Sequence, residues 1–394
     1  MKEKANPTDL AVAVLGYGRA TGGVTSHVDT LLGFLGKRGV PHWDLRLRDL
    51  FPWEKAWLLA VSGFHPLRAR RAAIRRKIAM AKAQLARLEA RPGLVVHAQD
   101  AFTAQAALEE GRFPLVVTVH GPIHRELLMD YKDEAFAIWA RGVEERVYRR
   151  ARMVLAVDQN HGHYVVEEFG VPPERVRVLL NAVDPSGLER EAQKGEGALS
   201  GALAERAARG ERAVLLPRRL VEKNGVHLAV EALRYLPESY TLWIAGDGPM
   251  RKAVEERVSR FGLGDRVHLL GSQPRDVVLA LMRRSWAVAV PSIPAHGVVE
   301  AASMAALEAM ALGVPVVASD LGGLAEAIRH GANGLLVPPG DPKALAEALL
   351  HLENPALRQR LIEGGRTYIG ETWSAERWGE ALMGVYREAL EGNT

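Results

Sequence analysis

Residues 287–290 read Ala-Val-Ala-Val, residues 303–313 read Ser-Met-Ala-Ala-Leu-Glu-Ala-Met-Ala-Leu-Gly, and residues 314–318 read Val-Pro-Val-Val-Ala. The first and third stretches are short apolar runs, and the second has the composition of a helix. A buried strand, a helix and a second buried strand form one βαβ unit with parallel strands. This part of the chain therefore predicts an α/β fold.

Apolar runs of the same kind recur along the chain, and each meets a Gly, Pro, Asp or Asn within a few residues. They predict strands at Leu10–Leu15, Leu94–His97, Leu115–Val119, Met153–Val157, Val176–Leu180, Val214–Leu216, Thr241–Ala245, Val267–Leu270, Ala287–Val290, Val314–Ala318 and Gly334–Val337. Because the runs alternate with helical segments and are numerous enough for two sheets, we expect two doubly wound, Rossmann-like domains.

The expected domains span residues 1–187 and 188–374. Residues 188–212 are rich in Ala, Gly, Glu and Arg without an apolar strand, which indicates a connection between the halves. The last segment, residues 375–394, has apolar residues at helical spacing and predicts an amphipathic helix that needs an apolar partner.

Composition excludes several classes of protein. The 394 residues are 48% apolar and 25% charged, which is typical of a globular chain, and the complete lack of cysteine removes disulfides, thiolate nucleophiles and iron–sulfur clusters. A net charge of +4 is too small for a nucleic-acid-binding protein on charge alone. Charged residues among the first ten and the lack of a long apolar run lead us to expect a cytoplasmic protein.

The first predicted strand runs into the glycine-rich segment Gly16–Gly23. Glycines there allow a sharp turn and expose amide groups to an anion at the following helix start. As a dinucleotide fingerprint the segment is poor, because Thr21 stands where the third glycine belongs. A plain tight turn is the alternative.

His120 follows the predicted strand at Leu115–Val119. Open α/β sheets place ligand contacts at the carboxyl ends of their strands, so His120 is a candidate catalytic residue. A hydrogen-bonded loop histidine explains the position equally well.

The strand at Val214–Leu216 is followed by a basic run that includes Arg218, Arg219 and Lys223. Two guanidinium groups and an ammonium beyond a strand end suit a diphosphate. The alternative is a solvated turn, which Glu222 within the run makes plausible. Glycines 246 and 248 follow the next strand and are read as structural.

Glu300 and Glu308 lie eight positions apart around a predicted helix start near Ser303. The amides of Ser303 and Met304 would then be donors without intrahelical partners, beside two carboxylates. Such a site suits a sugar nucleotide, because backbone amides can bind its phosphates and carboxylates can accept hydrogen bonds from its sugar hydroxyls. A surface acid pair on an alanine-rich helix is the competing interpretation.

Several segments in order carry a resemblance to a known family. They are Gly22-Gly23, His120-Gly121, Asn181–Asp184, Arg219-Leu220, Gly246–Pro249, Glu300-x7-Glu308 with Ala309–Gly313 and Val314–Ala318, Gly322-Gly323 with Glu326, and Asn333–Leu336. The ordered set covers most of the chain and resembles glycosyltransferase family 4, whose members have the GT-B fold of two Rossmann-like domains facing a cleft, use nucleotide sugars and retain the anomeric configuration.

The resemblance implies roles for individual residues. Glu300 would approach the donor sugar, Glu308 would hold the ribose, and the amides near Ser303 and Met304 would bind the diphosphate. Arg219 and a lysine five positions later would neutralise the diphosphate, but that position is Asn224, so Lys223 is the expected substitute. His120 with Glu300 would form the catalytic set, and Gly22 and Gly23 would lie on the donor side.

The resemblance also implies the domain roles and the chemistry. The N-terminal domain would bind the acceptor, helix 375–394 would pack back on it, and the second domain would bind the nucleotide sugar. No cofactor or metal is expected, and the sequence contains no Asp-x-Asp for a divalent ion. Front-face substitution, in which the leaving diphosphate helps to accept the hydroxyl proton, needs no protein nucleophile. Residues 301–303 depart from the Gly-Phe-Gly-like loop usual in the family, so the sugar pocket is expected to differ in shape.

Residues 51–91 are the least family-like segment. Residues 67–91 contain nine basic residues and one acidic residue on an amphipathic helix, and aromatic residues lie just upstream. Such a combination predicts peripheral contact with an anionic membrane, at its inner face, in the service of a lipid-linked or cell-envelope acceptor. An ordinary helix whose apolar face lies in the core is the alternative.

Three other functions stay open on the sequence. The first is an NAD-dependent oxidoreductase. Only the glycine-rich segment after the first strand supports it, and it gives no role to Glu300 and Glu308. A catalytically degenerate sugar-nucleotide-binding subunit would keep the fold and lose turnover through the changes at Asn224 and Ala302. A phosphorylase of the same fold would depend on free phosphate.

Overall fold

A computed structural model describes residues 10–17, 23–198 and 211–391. Contacts between Cα atoms divide the chain into two compact units. Unit 1 comprises Met1–Leu180 with Glu376–Thr394, and unit 2 comprises Asn181–Ala375. The sequence-based boundary stood seven residues later than this division, between residues 187 and 188.

Unit 1 contains a six-stranded parallel sheet in the order β2-β1-β3-β4-β5-β6. Its strands are β1 Ala11–Tyr17, β2 His42–Leu47, β3 Leu94–Ala98, β4 Leu115–Val119, β5 Met153–Ala156 and β6 Val176–Val178. Its helices are α1 Gly23–Lys37, α2 Pro52–Val61, α3 Pro66–Leu85, α4 Ala101–Glu110, α5 Ile123–Tyr131, α6 Glu134–Arg150 and α7 Gln159–Phe169. The core lies between the sheet and these helices.

Unit 2 contains a second six-stranded parallel sheet in the order β12-β11-β10-β7-β8-β9. Its strands are β7 Arg212–Leu216, β8 Tyr240–Ala245, β9 Val267–Gly271, β10 Ala287–Val290, β11 Val316–Ser319 and β12 Leu335–Val337. Its helices are α8 Pro185–Glu196, α9 Val226–Ala232, α10 Arg251–Arg260, α11 Arg275–Arg284, α12 Met304–Ala311, α13 Gly322–Ala327, α14 Pro342–His351 and α15 Pro355–Thr372. The last helix, α16 Ala375–Glu391, returns to unit 1.

The predicted α/β class and all eleven predicted strands are confirmed, with small differences at their ends. One strand, β2, was missed. It lies at the edge of its sheet and pairs only with β1, so it does not need to be apolar on both faces. Its sequence His-Trp-Asp-Leu-Arg-Leu alternates polar and apolar residues instead of forming a continuous apolar run.

The predicted connection at residues 188–212 is wrong for its first part. Helix α8 covers Pro185–Glu196 and packs closely on α11 in unit 2. A Cβ at Gly195 would lie only 2.0 Å from the carbonyl oxygen of Asp276, so glycine permits this close approach. Residues 188–196 therefore belong to a packed helix, and residues 199–210 of the predicted connection lie outside the described part of the chain.

Helix α16 carries the apolar stripe that the sequence predicted. Trp378, Leu382 and Tyr386 are buried, and Gly379 packs so closely on α1 that a Cβ would lie 2.3 Å from the Phe34 ring. The Tyr386 hydroxyl lies 2.7 Å from His97 Nδ1. The end of the chain thus completes the core of unit 1.

Candidate active site

In unit 2 the order of the strands reverses between β7 and β10, which lie side by side in the sheet. Open α/β sheets bind ligands beyond the carboxyl ends of the strands at such a switch point. The loop after β7 contains Arg219 and Lys223, and the loop after β10 contains Glu300 and ends at α12. The sheet therefore brings most of the predicted donor-binding residues to one edge.

Glu300 is buried and forms an ion pair between the two loops. Arg218 Nη2 donates to Glu300 Oε1 at 2.6 Å, and Arg218 Nη1 donates to Ser292 Oγ at 2.6 Å. The Gly323 amide donates to the Glu300 carbonyl at 3.0 Å, which fixes the backbone as well. The sequence grouped Arg218 with the cations that suit a diphosphate, whereas in the structure its guanidinium holds Glu300.

Glu308 lies in the second turn of α12, is buried, and accepts a hydrogen bond at Oε1 from Arg275 Nη1 at 2.6 Å. Arg275 also contacts Glu191 Oε2 through Nε at 2.9 Å. Burial acts to lower the pKa of Arg275, but the two carboxylates outweigh it and raise that pKa. Arg275 therefore links Glu308 of α12 to Glu191 of α8. Arg275 was missed because a single arginine at a helix start carries no distinctive pattern.

Helix α12 begins where the sequence predicted, with Ser303 as its N-cap residue. The Ser303 side chain makes no capping hydrogen bond, and the first amides of a helix have no intrahelical acceptor. A hydrogen bond fixes the loop before α12, since Asn181 Nδ2 donates to the Ala302 carbonyl at 3.3 Å. Amides and the positive end of the helix dipole thus lie next to Glu300 in sequence, at the switch point of the sheet.

The departure at position 224 has a structural explanation. Asn224 is buried, and its Nδ2 donates to the Arg219 carbonyl at 2.8 Å, so its side chain closes the turn after β7. Gly225 follows in the left-handed region with φ +62°, and a Cβ there would overlap the Pro291 carbonyl oxygen. Lys223 is half-buried and Arg219 is exposed. These two residues supply the cations of the turn.

Glycines 246 and 248 are structural, as the sequence indicated. A Cβ at Gly246 would lie 1.9 Å from the Arg218 carbonyl oxygen, and one at Gly248 would lie 2.5 Å from that of Leu220. The Leu220 amide donates to the Asp247 carbonyl at 3.0 Å. The loop after β8 therefore supports the backbone that carries Arg218 and Arg219.

In unit 1, His120 follows β4, and its Nε2 lies 3.0 Å from Gln99 Oε1. The His27 ring from α1 makes an edge contact with its ring at 4.8 Å between centroids. Burial lowers the pKa of His120 well below its ordinary value, and the neighbouring histidines lower it further. His120 is therefore neutral at physiological pH. Neither His27 nor Gln99 was predicted, since they precede β4 by many residues.

A buried carboxylate fixes the chain just after His120. Glu144 accepts hydrogen bonds from the amides of Ile123 and His124 at 3.0 and 3.1 Å, and from the Tyr164 hydroxyl at 3.1 Å. It thereby caps the first turn of α5 from the neighbouring helix α6. The loop with His120 is thus anchored on both sides.

Of the predicted glycine pair, Gly22 lies outside the described residues, and Gly23 is the exposed first residue of α1. In the described ranges, no group of three or more His, Asp or Glu is placed to hold a metal ion. Within the same ranges no helix has both the length and the apolarity to cross a membrane.

Comparison with known proteins identifies two family models that match in tandem. The model of Glycosyltransferase Family 4 matches residues 21–186, and that of Glycosyl transferases group 1 matches residues 204–368. The chain is 29% identical over 286 residues to alpha-D-kanosaminyltransferase of Streptomyces kanamyceticus, a match that covers 70% of each chain. It is 27% identical over 283 residues to an uncharacterized glycosyltransferase of Methanocaldococcus jannaschii, which covers 71% of this chain and 70% of the relative.

Solved structures show the same fold. Sucrose-phosphate synthase from Thermosynechococcus elongatus superimposes with a TM-score of 0.72 at 20% identity and covers 98% of this chain and all of its own. Anabaena HepE, solved in complex with UDP and glucose, superimposes with a TM-score of 0.69 at 19% identity over 95% of this chain and 98% of its own. The two Rossmann-like units are therefore those of a GT-B protein.

Proposed function

The chain belongs to glycosyltransferase family 4, and from that premise we propose that it moves a hexose from a nucleotide sugar to a hydroxyl acceptor with retention at the anomeric carbon. The observation that carries the proposal is the pair of buried, arginine-held carboxylates, Glu300 and Glu308, on either side of the α12 start. Family membership favours transfer over the oxidoreductase alternative. UDP and glucose bound to the structural relative HepE agree with a nucleotide-sugar donor.

The diphosphate of the donor would lie at the start of α12. The amides of Ser303 and Met304 would donate to its oxygens, and Arg219 and Lys223 would offset its charge. These cations and the helix dipole supply the charge that a divalent ion provides in other transferases, so we propose that transfer needs no metal or other cofactor. Glu308 would accept hydrogen bonds from ribose hydroxyls.

Glu300 would act on the sugar itself. Arg218 and Ser292 hold its carboxylate in one place, so it can accept hydrogen bonds from hexose hydroxyls as positive charge develops at the anomeric carbon. The bond from that carbon to the diphosphate breaks, the bond to the acceptor oxygen forms on the same face, and the hydroxyl proton passes to the leaving phosphate oxygen. No protein nucleophile takes part.

His120 would contact a substrate hydroxyl as a neutral imidazole. Gln99 Oε1 can only accept, so His120 Nε2 donates to it. The proton of the neutral His120 ring therefore lies on Nε2, and Nδ1 is an acceptor. A low pKa suits this role, since protonation would remove that acceptor. We assign His120 to orienting a hydroxyl in the reaction and unit 1 to the acceptor.

We further propose that residues 51–91 bring the enzyme to the inner face of an anionic membrane, where the acceptor is lipid-linked. The support is the excess of basic residues there, next to aromatic side chains that the structure leaves exposed.

The test of the transfer reaction uses UDP-glucose, GDP-mannose and ADP-glucose in turn, with octyl glucoside as acceptor and EDTA throughout. We expect release of one nucleoside diphosphate and a product whose anomeric proton shows the configuration of the donor. An inverted product, loss of turnover in EDTA, or strict dependence on free phosphate would contradict the proposal. Binding of a nucleotide without transfer to any acceptor or to water would support the degenerate subunit instead.

A further inference from the structure

Helix α2 exposes an unusual number of large apolar side chains. Trp53, Trp57 and Val61 are 65%, 56% and 60% exposed, and the spacing of four places them on one side of the helix. Phe51 and Phe64 at its two ends are 49% and 74% exposed. We call these five residues the aromatic face.

The aromatic face is held in place by the other side of α2. Glu54 is buried and accepts from Arg48 Nη1 at 2.6 Å and from Arg76 Nη2 of α3 at 3.1 Å. It also accepts from the Phe51 amide at 2.8 Å. The Arg48 guanidinium packs over the Phe51 ring with 4.1 Å to its centroid. The exposed rings therefore belong to an ordered helix with a buried anchor.

The turn after α2 adds a second sign of function. Phe64 has φ +56°, in the left-handed region that a bulky side chain rarely adopts. The Phe64 side chain is also 74% exposed, so burial does not offset the cost of this conformation. Residues in sparsely populated backbone regions cost free energy and are enriched at ligand-binding and active sites.

The structure decides the assignment of the neighbouring helix. Ile78, Ala81 and Leu85 of α3 are buried in the core of unit 1, so its apolar stripe is not available to a membrane. For α3 this confirms the alternative interpretation of the sequence, an ordinary helix whose apolar face lies in the core. The large exposed apolar side chains of this region therefore lie on α2 and at its ends.

A groove of about 570 Å³ lies within unit 1 between α2, α3 and α5. Most of its lining is apolar and comes from residues such as Leu58, Leu59, Ala73, Ile74, Leu127 and Phe136. Three cations, Lys55, Arg70 and Lys77, and a single acid, Asp49, also line it. This volume is typical of a small-molecule site.

We propose that this groove binds one hydrocarbon chain of an anionic phospholipid, with the lipid phosphate at Lys55 and Arg70, while the aromatic face lies in the bilayer interface. The inference rests on the membrane contact proposed above and names its chemistry. An apolar groove with more cations than acids complements an amphiphile that has a long chain and a negative head. Tryptophan and phenylalanine beside cations are typical of an interface with anionic lipid.

Two variants separate the parts of the proposal. Ala73→Phe fills the groove, and the double variant Trp53→Ser, Trp57→Ser removes both tryptophans of the aromatic face. Tyr235→Ser in unit 2 removes an aromatic side chain that is 49% exposed elsewhere and is the matched control. Lys55→Glu reverses one charge at the exposed side of the groove and serves as a second groove variant if Ala73→Phe does not fold.

The first experiment measures calorimetric binding of dodecyl phosphate below its micellar concentration, with inorganic phosphate as the reference ligand. We expect one dodecyl phosphate per chain, no binding of inorganic phosphate alone, and loss of at least tenfold in affinity with Ala73→Phe or Lys55→Glu. The Trp53→Ser, Trp57→Ser variant should bind dodecyl phosphate like the parent. Equal binding by parent and both groove variants would overturn the groove assignment.

The second experiment measures binding to phosphatidylcholine vesicles with and without phosphatidylserine. We expect binding only with phosphatidylserine, quenching of tryptophan fluorescence by brominated acyl chains, and loss of both in the Trp53→Ser, Trp57→Ser variant but not in Tyr235→Ser. No binding by the parent would overturn the docking proposal. Donor hydrolysis, measured on the same proteins in solution, should stay at the parent level, so failure here is distinguishable from failure of the transferase assignment.

Discussion

The switch point of unit 2 and the α2–α3 region of unit 1 both bury carboxylates against arginines, but to different ends. Glu300 and Glu308 each bond an arginine through one oxygen, beside a helix start that can bind phosphate. Glu54 is bonded by two arginines and a backbone amide and lies beneath an exposed aromatic face. A buried ion pair therefore does not identify a catalytic site by itself, and its surroundings decide what it does.

Substituting these carboxylates tests the difference between the two regions, and we expect the largest effect on kcat at Glu300. Glu300→Gln keeps the size of the side chain but weakens an interaction with developing positive charge, so kcat should fall by about 100-fold or more with little change in donor affinity. Steady-state kinetics with the accepted donor measure it. Glu54→Gln is the control and should leave kcat with octyl glucoside unchanged. A large fall in both variants would mean that the substitutions disturb the fold.

The Arg218 position should show a smaller effect of the same kind. Arg218→Lys keeps the charge but replaces the two guanidinium nitrogens that bond Ser292 and Glu300 by a single nitrogen, so Glu300 is held less firmly and we expect kcat to fall by about tenfold. The free energy of unfolding should change less than in Arg218→Ala, which leaves Glu300 buried without its cation. Parallel kinetics and thermal unfolding give both numbers. Unchanged kcat in Arg218→Lys would remove the positioning role of Arg218.

The turn after β7 allows the shifted lysine to be tested directly. Lys223→Ala should weaken binding of the nucleoside diphosphate by several-fold, and the difference from the parent should shrink as salt rises. Adding Asn224→Lys to Lys223→Ala should not restore nucleotide affinity, because position 224 is buried and the Asn224 amide closes the turn. Nucleotide titrations at two salt concentrations check this. Restored affinity in the Lys223→Ala, Asn224→Lys double variant would show that position 224 reaches the donor.

We expect the smallest effect in the pH dependence of the stability that Glu54 of α2 contributes. Hydrogen bonds from Arg48, then from the Phe51 amide, hold the pKa of Glu54 at about 2, below its ordinary 4.5. A carboxylate whose pKa is lowered on folding stabilises the fold above its unfolded pKa and loses that contribution as the pH falls towards the folded pKa. The difference in Tm between the parent and Glu54→Gln should therefore be constant near neutral pH and shrink between about pH 4.5 and 2. A difference independent of pH would contradict it.

The sequence predicted the parts of the fold that repeat a local pattern. Buried strands are short apolar runs, so eleven were found, whereas the edge strand β2 and the packed helix α8 lack that signal. The start of α12 at Ser303 was also predicted from local sequence. The domain boundary and the close packing of helices depend on contacts between distant segments, so the sequence did not predict them.

The site divides in the same way. Glu300, Glu308, Arg219 and Lys223 stand in recognisable motifs, and Arg218 lies in the basic run with Arg219, but the sequence does not show which arginine pairs with which glutamate. Arg218 and Glu300 are 82 positions apart, and Arg275 and Glu308 are 33 apart, so only the folded sheet brings each pair together. The hypothesis for residues 51–91 left open whether the apolar stripe of residues 67–91 faces a core or a lipid, because a helical stripe has the same pattern in both cases, and only the fold shows that it is buried.

Nucleotide binding at the switch point of unit 2 is the central claim, and titration calorimetry in EDTA with UDP, GDP, ADP and NAD tests it most directly. The parent should bind one nucleoside diphosphate, and Glu308→Ala should lose at least tenfold in affinity because the ribose contact is removed. A matched Glu347→Ala variant on the exposed side of α14 should bind like the parent. Binding of NAD alone, or equal binding of the nucleoside diphosphate by parent and Glu308→Ala, would contradict the account.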